Sequence, residues 1–188
     1  MEVPFFDLNY GPEEEEAALE TIQSGWISTG PKCEELEEQW AGLHGVEHGV
    51  SLSSCTAALH LAMRALDIGP GDEVICPAIG FYATAAAVVT AKGVPVFGDV
   101  DESLSLDPAK IEPLISDRTV AIAPTCVMCS VPDMAGIMEV ARRHKLKVVE
   151  DCAQSCGGKF QGRYVGTFGD LGCFSISAYK IVGGGEGG

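Results

Sequence analysis

The alternation of short apolar segments with longer helical segments is the feature that most constrains this chain. From residue 48 onward, strand-like and helix-like patterns follow one another along the sequence. The predicted strands are HGVSL (48–52), EVICP (73–77), VPVFGDV (94–100), TVAIAP (119–124), LKVVED (146–151) and LGCFSIS (171–177). Strands with few charges that are joined by helices are typical of a parallel sheet covered on both faces. We therefore predict an α/β fold of three layers, with helices on both faces of a mostly parallel sheet.

The predicted helices carry recognisable start and stop signals. Pro12 and the glutamates after it suit a first helical turn, and Gly25 suits the end of that helix. Pro31 opens a second helix, in which apolar residues recur at three- and four-residue steps. The remaining predicted helices are TAALHLAMRAL (56–66), YATAAAVVTAKG (82–93), DPAKIEPLI (107–115) and DMAGIMEVARRHK (133–145).

The charge of the chain is strongly negative and is concentrated near its start. The formal net charge is −15, and the first 50 residues hold twelve acidic side chains against Lys32 alone. Such a surface repels phosphate backbones and anionic lipids, so we expect no nucleic acid and no membrane as partner. Two solvated helix faces explain the acidic residues better than a dedicated basic partner does.

Targeting signals and cysteine usage bear on location. The opening MEVPFFDLNYGPEEEE has no basic region followed by a long apolar region, and no apolar run reaches the roughly 18 to 20 residues of a membrane span. The eight cysteines then belong in a reducing compartment, as thiols or ligands rather than disulfides. These observations predict a cytoplasmic protein.

Ligands of parallel α/β sheets gather at the carboxyl ends of the strands, and two of these ends are close to helix starts. In SLSSCTAALH, small residues around Ser54 and Thr56 could present N–H groups and hydroxyls to a phosphate, or could be ordinary N-caps. In VICPAIGFYAT, Phe81 follows a strand and could cover a planar ligand, although an isolated aromatic residue is more often part of the core.

Two further strand ends carry charged side chains. In KVVEDCAQSCG, Glu150 and Asp151 need partners because an unpaired buried carboxylate is costly, and Gln154 could face the same cavity. In FSISAYKIVGGGEGG, Lys180 precedes the glycines, whereas a P-loop lysine follows them, so the phosphate-loop reading fails. Lys180 is then either an exposed ammonium or a nucleophilic amine.

The four strand ends together match the requirements of one cofactor, pyridoxal 5′-phosphate (PLP). A helix start can hold its phosphate, an aromatic ring can stack on its pyridine, an aspartate can keep the ring nitrogen protonated, and a lysine can form the Schiff base.

Three segments closely resemble the DegT/DnrJ/EryC1/StrS sugar aminotransferases, which are PLP enzymes of the aspartate aminotransferase fold (fold type I). The segments are SGWISTGPKCEELEEQW (24–40), SSCTAALHLAMRALDIGPGDEVICPA (53–78) and VVEDCAQSCGGKFQGRYVGTFGDLGCFSISAYKIVGGGEGG (148–188). The resemblance implies that Lys180 and Asp151 are the catalytic pair, binding the cofactor covalently and at its ring nitrogen. It further implies a cofactor site formed by Ser54, Cys55, Thr56, Ala57, Phe81, Asp151, Gln154, Ser175 and Lys180, with no metal.

The resemblance also implies a reaction and an assembly. It implies a ping-pong transfer of an amino group from L-glutamate to a nucleotide-linked keto-sugar. Lys180 rather than histidine at its position favours amino transfer over dehydration. Family members are homodimers in which each site is completed by the partner chain.

Three departures from the family pattern accompany the resemblance. Cys55 stands where the family usually has glycine, and Cys126 and Cys129 replace a histidine-like and a glycine-like residue on the substrate side. The chain is about half as long as family members, so we expect a fragment that lacks the C-terminal small domain. We expect an N-terminal arm and helix over 1–30 and a PLP-binding large domain over 31–188.

Three alternatives remain at this point. Cys126 and Cys129, with Cys152 and Cys156, could bind Zn²⁺ or an iron–sulfur cluster. The chain could instead be an inactive remnant of an aminotransferase. A nicotinamide-binding domain is disfavoured, because GGGEGG does not follow the first strand of a βαβ unit.

Overall fold

The computed structural model describes Asp7 and residues 9–188, so most of the first residues of the predicted N-terminal arm lie outside the described residues. The chain divides into two compact units, Met1–Ser51 and Leu52–Gly188. The predicted boundary between an N-terminal arm over 1–30 and a large domain over 31–188 stays a prediction.

The first unit contains two helices, α1 (Pro12–Ser24) and α2 (Pro31–His44), each with proline in its first turn and glycine after its end. Gly25 and Gly45 adopt the left-handed conformation, with φ of 75° and 67°, which glycine reaches without strain. α1 buries none of its residues, and α2 buries only Ala41 and His44. The unit therefore leaves much of its apolar surface exposed.

The second unit is a five-stranded parallel sheet with helices between the strands. Its elements in chain order are α3 (Cys55–Ala65), β1 (Glu73–Pro77), α4 (Ala83–Thr90), β2 (Val94–Gly98), α5 (Pro108–Ile111), β3 (Thr119–Ile122), α6 (Met134–His144), β4 (Lys147–Asp151), β5 (Lys159–Phe160), β6 (Arg163–Tyr164) and β7 (Leu171–Cys173). The strand order in the sheet is β2-β1-β3-β4-β7, and every pair is parallel. The predicted α/β fold class is confirmed.

The sheet separates two apolar layers, as the three-layer prediction requires. On one face, Val74 and Val149 pack with α3 and α4, and on the other, Ile75 and Val148 pack with α5 and α6. Successive strand residues point to opposite faces, so neighbouring positions of β1 and β4 serve different layers. The same alternation sends Glu150 and Asp151 to opposite sides of the sheet.

Helix starts in this unit follow the predicted capping chemistry. Asp107 accepts a hydrogen bond from the N–H of Ala109 at the start of α5, and Asp133 accepts one from the N–H of Gly136 at the start of α6. Both aspartates sit where the helix dipole favours a negative charge.

The predicted strand over 48–52 is wrong. The backbone N–H and the hydroxyl of Ser51 both donate to the Glu37 carboxylate at 2.7 Å, so a side chain takes the place of a neighbouring strand. Gly49 approaches the Glu37 carbonyl so closely that a side chain there would overlap it. Leu52 alone forms strand-like backbone hydrogen bonds, with Gly188.

The antiparallel hairpin of β5 and β6 was not predicted from the sequence. Gln161 and Gly162 connect its strands with φ of 49° and 83°, the positive values that a two-residue type I′ turn requires. An X-Gly pair between alternating residues was the signal that could have found it.

Close backbone packing fixes the edge strand β7. A Cβ at Gly172, which pairs with Glu150 in β4, would overlap the carbonyl oxygen of Gly166. Both groups are backbone, so neither can turn away as a side chain would.

We expect Gly172→Ala to lower the free energy of unfolding by about 2 to 3 kcal/mol, the usual cost of forcing extra volume into a packed site. Urea denaturation measures it. Gly42→Ala is the matched control: it lies in α2 with open space at its Cβ, and should be neutral or stabilising by up to about 1 kcal/mol. Equal unfolding free energies for Gly172→Ala and the unsubstituted chain would contradict the packing argument.

Candidate active site

The candidate site lies where the strand order reverses. The chain proceeds from β1 to β2 on one side and then to β3, β4 and β7 on the other, which creates a crevice beyond the carboxyl ends of β1 and β3. Thr125 follows β3 and forms a parallel bridge with Asp151, the last residue of β4. Thr84 lies in the first turn of α4, which follows β1, and its hydroxyl lies near that of Thr125.

Asp151 is almost completely buried, and each of its carboxylate oxygens has a donor. Oδ2 accepts a hydrogen bond of 2.5 Å from the Thr84 hydroxyl, and Oδ1 accepts one of 3.1 Å from the backbone N–H of Ala153. Burial raises the pKa of Asp151, while these hydrogen bonds and the positive charge of Lys180 lower it. The net direction is upward. A second lone pair on each oxygen remains for a further donor.

Three buried thiols surround this carboxylate, from α3, β1 and β7. Burial and then the negative charge of Asp151 raise the pKa of Cys76 and of Cys173 to about 12. The pKa of Cys55 is also raised, first by burial and then by Asp151. Thiols with such values stay protonated near neutral pH, so they pack as small apolar groups rather than act as nucleophiles.

Lys180 lies at the turn of a glycine-rich hairpin that begins after β7. The N–H of Ala178 donates to the carbonyl of Gly185, and the N–H of Gly184 donates to the carbonyl of Ile176. The Lys180 side chain is half-buried, and its positive charge lowers the pKa of both Asp151 and Cys55. The structure therefore brings the amine and the carboxylate that the sequence singled out to the same edge of the sheet.

The start of α3 offers backbone donors beside this amine. The Ser54 hydroxyl accepts the N–H of Ala57 at 3.1 Å, which is the N-cap arrangement weighed as an alternative. Within the described part of the chain, no hydrogen bond occupies the N–H groups of Cys55 and Thr56. Those two amides, rather than that of Ala57, are free to meet an anion. The predicted role of Ala57 stays a prediction.

Ser175 adds a hydroxyl next to the hairpin. It is buried, and its oxygen accepts a weak hydrogen bond of 3.5 Å from the N–H of Ser177. Its own proton remains available for donation, since a hydroxyl can donate and accept at once.

Phe81 and Gln154 occupy opposite margins of the crevice. Phe81 is about half exposed (53%) and lies against the Tyr82 ring at 4.5 Å between centroids, so it is not a core residue. The Gln154 side-chain oxygen accepts the N–H of Met128 at 2.7 Å, which leaves its amide NH₂ as the free end. Contact of either residue with a cofactor stays a prediction.

Glu150, the neighbour of Asp151, has a different task. Its carboxylate accepts three backbone N–H groups at 2.7 Å, from Gly166, Phe168 and Gly169. It thus closes the turn before β7, and backbone amides are the partners that this buried carboxylate needs.

The cysteine pairs considered as metal ligands do not converge. Cys126 and Cys152 contact each other, whereas the Cys129 thiol donates to the Gln154 carbonyl oxygen at 3.0 Å. Across the described residues, no group of three or more His, Cys, Asp or Glu side chains is arranged to hold a metal ion. The described helices likewise include none that is long and apolar enough to cross a membrane.

Thr84 and Thr125 are the site residues that sequence reasoning missed. Thr84 is 67 positions from Asp151 in the chain, and a threonine near a helix start resembles an ordinary cap. The signal that could have identified Thr84 is its position as the second residue of a helix that follows the carboxyl end of a strand, where ligands of parallel sheets bind.

The fold and this crevice define a class, namely α/β proteins with a helix start and a buried carboxylate at the carboxyl edge of a parallel sheet. The family model of the DegT/DnrJ/EryC1/StrS aminotransferases matches residues 9–188, and the chain belongs to that family.

Individual relatives agree. The chain is 42% identical over 179 residues to the spore coat polysaccharide biosynthesis protein SpsC of Bacillus subtilis, covering 95% of this chain and 46% of SpsC. It is 51% identical over 155 residues to the UDP-N-acetyl-3-dehydro-α-D-glucosamine 3-aminotransferase of Acidithiobacillus ferrooxidans, covering 81% of this chain and 42% of that enzyme. The chain thus spans about half the length of these relatives.

A solved structure shows the same fold. Spr1654 of Streptococcus pneumoniae, named as a sugar aminotransferase and solved in PLP and PMP forms, superposes with a TM-score of 0.94 at 30% identity. The superposition covers 98% of this chain and 51% of Spr1654.

The buried charge of Asp151 makes a prediction about stability and pH. Because the pKa of Asp151 is raised in the folded state, ionising this carboxyl is harder in the native chain than in the unfolded one, so stability falls as pH rises through and above the usual aspartate range. We expect Asp151→Asn to be more stable than the unsubstituted chain at pH 7, with the difference vanishing at the acid end of that range. Urea unfolding at several pH values measures this. The exposed Asp117→Asn is the control, and a lower stability of Asp151→Asn at pH 7 would contradict the prediction.

Proposed function

We propose that this chain is the cofactor-binding large domain of a PLP-dependent sugar aminotransferase. The observation that carries the proposal is the joint placement of a buried carboxylate, Asp151, and a half-buried amine, Lys180, beyond the same end of a parallel sheet. The positive charge of Lys180 lowers the pKa of Asp151, and the start of α3 contributes N–H groups near this amine. Family membership and the fold shared with Spr1654 add support.

The donor set fits this cofactor. The N–H groups of Cys55 and Thr56, with the Ser175 hydroxyl, suit a phosphate at a helix start of sufficient length. A buried carboxylate with spare lone pairs suits the protonated ring nitrogen, and an amine across the crevice suits the cofactor's aldehyde. Phe81 supplies an exposed ring for stacking.

Each residue then has a defined task in the proposed reaction. PLP, when bound, supplies an electron sink for the carbon that loses its proton. Asp151 stays ionised and keeps a proton on the ring nitrogen. Lys180 would hold the cofactor through its Nζ, and the same amine would carry a proton as general base and then as general acid.

For the substrates we propose L-glutamate as donor and a nucleotide-linked keto-sugar as acceptor. The name of the Acidithiobacillus ferrooxidans relative, which describes a UDP-linked 3-dehydro sugar, supports this class of acceptor. We further propose a homodimer located in the cytoplasm. Exposed apolar side chains on the first unit support an association surface, among them Leu19, Ile22 and Trp26, and all eight cysteines are free thiols, as a reducing compartment allows.

The first test is cofactor attachment. We expect the purified chain to gain visible absorbance with PLP, to lose it on borohydride reduction, and to carry the reduced adduct on Lys180 by mass spectrometry. Lys180→Ala should abolish the labelling, because Lys180 is the one amine among the described residues whose charge acts on Asp151. Lys159→Ala, whose ammonium lies over the Tyr164 ring, is the control and should label normally. An adduct on a different lysine would refute the assignment.

The second test is the donor half-reaction. We expect L-glutamate to discharge the visible band of the PLP-loaded protein, and Asp151→Asn to slow that step about a hundredfold or more, the usual effect of removing an electrostatic partner of the transition state. Stopped-flow absorbance measures the rate. Asp117→Asn serves as control, since this exposed residue lies before β3, at the far end of the sheet. An unchanged rate in Asp151→Asn would remove Asp151 from its role.

A further inference from the structure

A chain of two hydroxyl groups leads to the Asp151 carboxylate. The Thr125 Oγ1 lies 3.3 Å from the Thr84 Oγ1, which in turn lies 2.5 Å from Oδ2 of Asp151. All three residues are at most 3% exposed, so no bulk water competes for these hydrogen bonds. Threonine is stiff about its first side-chain torsion, which limits how far either hydroxyl can move.

The direction of the protons in this chain follows from counting donors. Thr84 has one hydroxyl proton, and the ionised Asp151 accepts it, so Thr125 must donate to the Thr84 oxygen. In the described residues, the Thr125 hydroxyl has no other acceptor. A proton on Oδ2 of Asp151 would reverse the direction of these two hydrogen bonds. The buried Thr125 hydroxyl proton would then have no acceptor. A proton on Oδ1 would instead face the N–H of Ala153.

We propose that Thr84, supported by Thr125, is a positioning residue that holds Asp151 ionised and correctly oriented for the ring nitrogen of the cofactor. The inference rests on the proposed function for the identity of the ligand, but the action of the two hydroxyls on Asp151 does not depend on it. Isolated from solvent, the carboxylate would otherwise favour its neutral form, which cannot keep a ring nitrogen protonated.

The surroundings of Asp151 leave few other groups for this task. Burial raises the pKa of Asp151, and the largest opposing influence is the hydrogen bond from Thr84, ahead of the Ala153 amide and the Lys180 charge. The other titratable groups that interact with it are thiols from α3, β1, β7 and the residue after β4, namely Cys55, Cys76, Cys173 and Cys152. Protonated thiols add no positive charge, so the hydroxyl of Thr84, the amide of Ala153 and the charge of Lys180 stabilise the ionised form.

The hydroxyl chain also reaches the loop that carries Phe81. A Cβ at Gly80 would lie 3.7 to 3.8 Å from the Thr125 side chain, in ordinary contact. The loop after β1 therefore packs on the same threonine that supports Thr84. Phe81, proposed to stack on one face of the heterocycle, and Asp151, proposed to bind its nitrogen, thus share contact with Thr125, directly or through the neighbouring residue.

The test is a carboxyl titration of the chain without cofactor. With ¹³C-labelled aspartate, NMR follows each carboxyl carbon against pH, and Asp151→Asn identifies the Asp151 signal. We expect Thr84→Val, which keeps the shape and removes the hydroxyl, to move the Asp151 midpoint to higher pH. Thr84→Ser should restore the midpoint, and Thr125→Val should shift it in the same direction by less.

Thr119→Val is the matched control. Thr119 is a buried threonine that also contacts a carboxylate, that of Glu73 in β1, away from the site. It should leave the Asp151 midpoint unchanged. An unshifted midpoint in Thr84→Val, or in Thr125→Val where Thr84→Val does not fold, would overturn the inference.

Cofactor affinity provides the second readout. We expect Thr84→Val to bind PLP about tenfold more weakly in equilibrium dialysis, the loss of one hydrogen bond to a charged group, and Thr84→Ser to bind as the unsubstituted chain does. If the unsubstituted chain binds no PLP, the proposed function fails while the titration still decides the role of Thr84. If the unsubstituted chain binds PLP but Thr84→Val leaves the titration midpoint of Asp151 unchanged, only the inference fails.

Discussion

A carboxylate buried at the reversal point of a parallel sheet governs the arrangement of this molecule. Asp151 is 1% exposed, and leaving such a group without partners would cost several kcal/mol. Its partners come from three separate parts of the chain: a hydroxyl from α4, an amide two residues ahead, and the positive charge of the glycine-rich hairpin. The strands bring these three parts together, and their interactions with the Asp151 carboxylate stabilise the arrangement.

The pleat of β4 separates a structural acid from a functional one. Glu150 and Asp151 are adjacent in sequence, yet they face opposite sides of the sheet and take different partners. Glu150 is satisfied entirely by backbone amides of the turn before β7, with three hydrogen bonds of 2.7 Å. Asp151 retains unused lone pairs on the side of the crevice. Strand β4 therefore fixes the turn before β7 through Glu150, and its next residue, Asp151, remains available for a ligand.

The sequence was most informative where a pattern depends on local chemistry. Apolar strands and capped helices predicted the layers, and the rule that ligands gather at strand ends singled out Asp151 and Lys180 before any contact was known. It was least informative where a side chain replaces a backbone partner. Glu37 takes the hydrogen bonds of Ser51 that the predicted strand over 48–52 would have used, and no periodicity reveals such a substitution. Thr84 escaped notice for a related reason, because its partner is distant in the chain and its residue type has a commoner use at helix starts.

The glycine-rich hairpin ties the amine to the helix start. Leu52 and Gly188 exchange two backbone hydrogen bonds, of 2.7 and 3.0 Å, and Gly188 presses so closely on the Ser54–Cys55 peptide that no side chain fits there. The hairpin that carries Lys180 is thereby held against the peptide that supplies the N–H of Cys55 at the start of α3. The segment that carries the amine and the helix start are therefore joined by backbone contacts, so a displacement of one segment strains the position of the other.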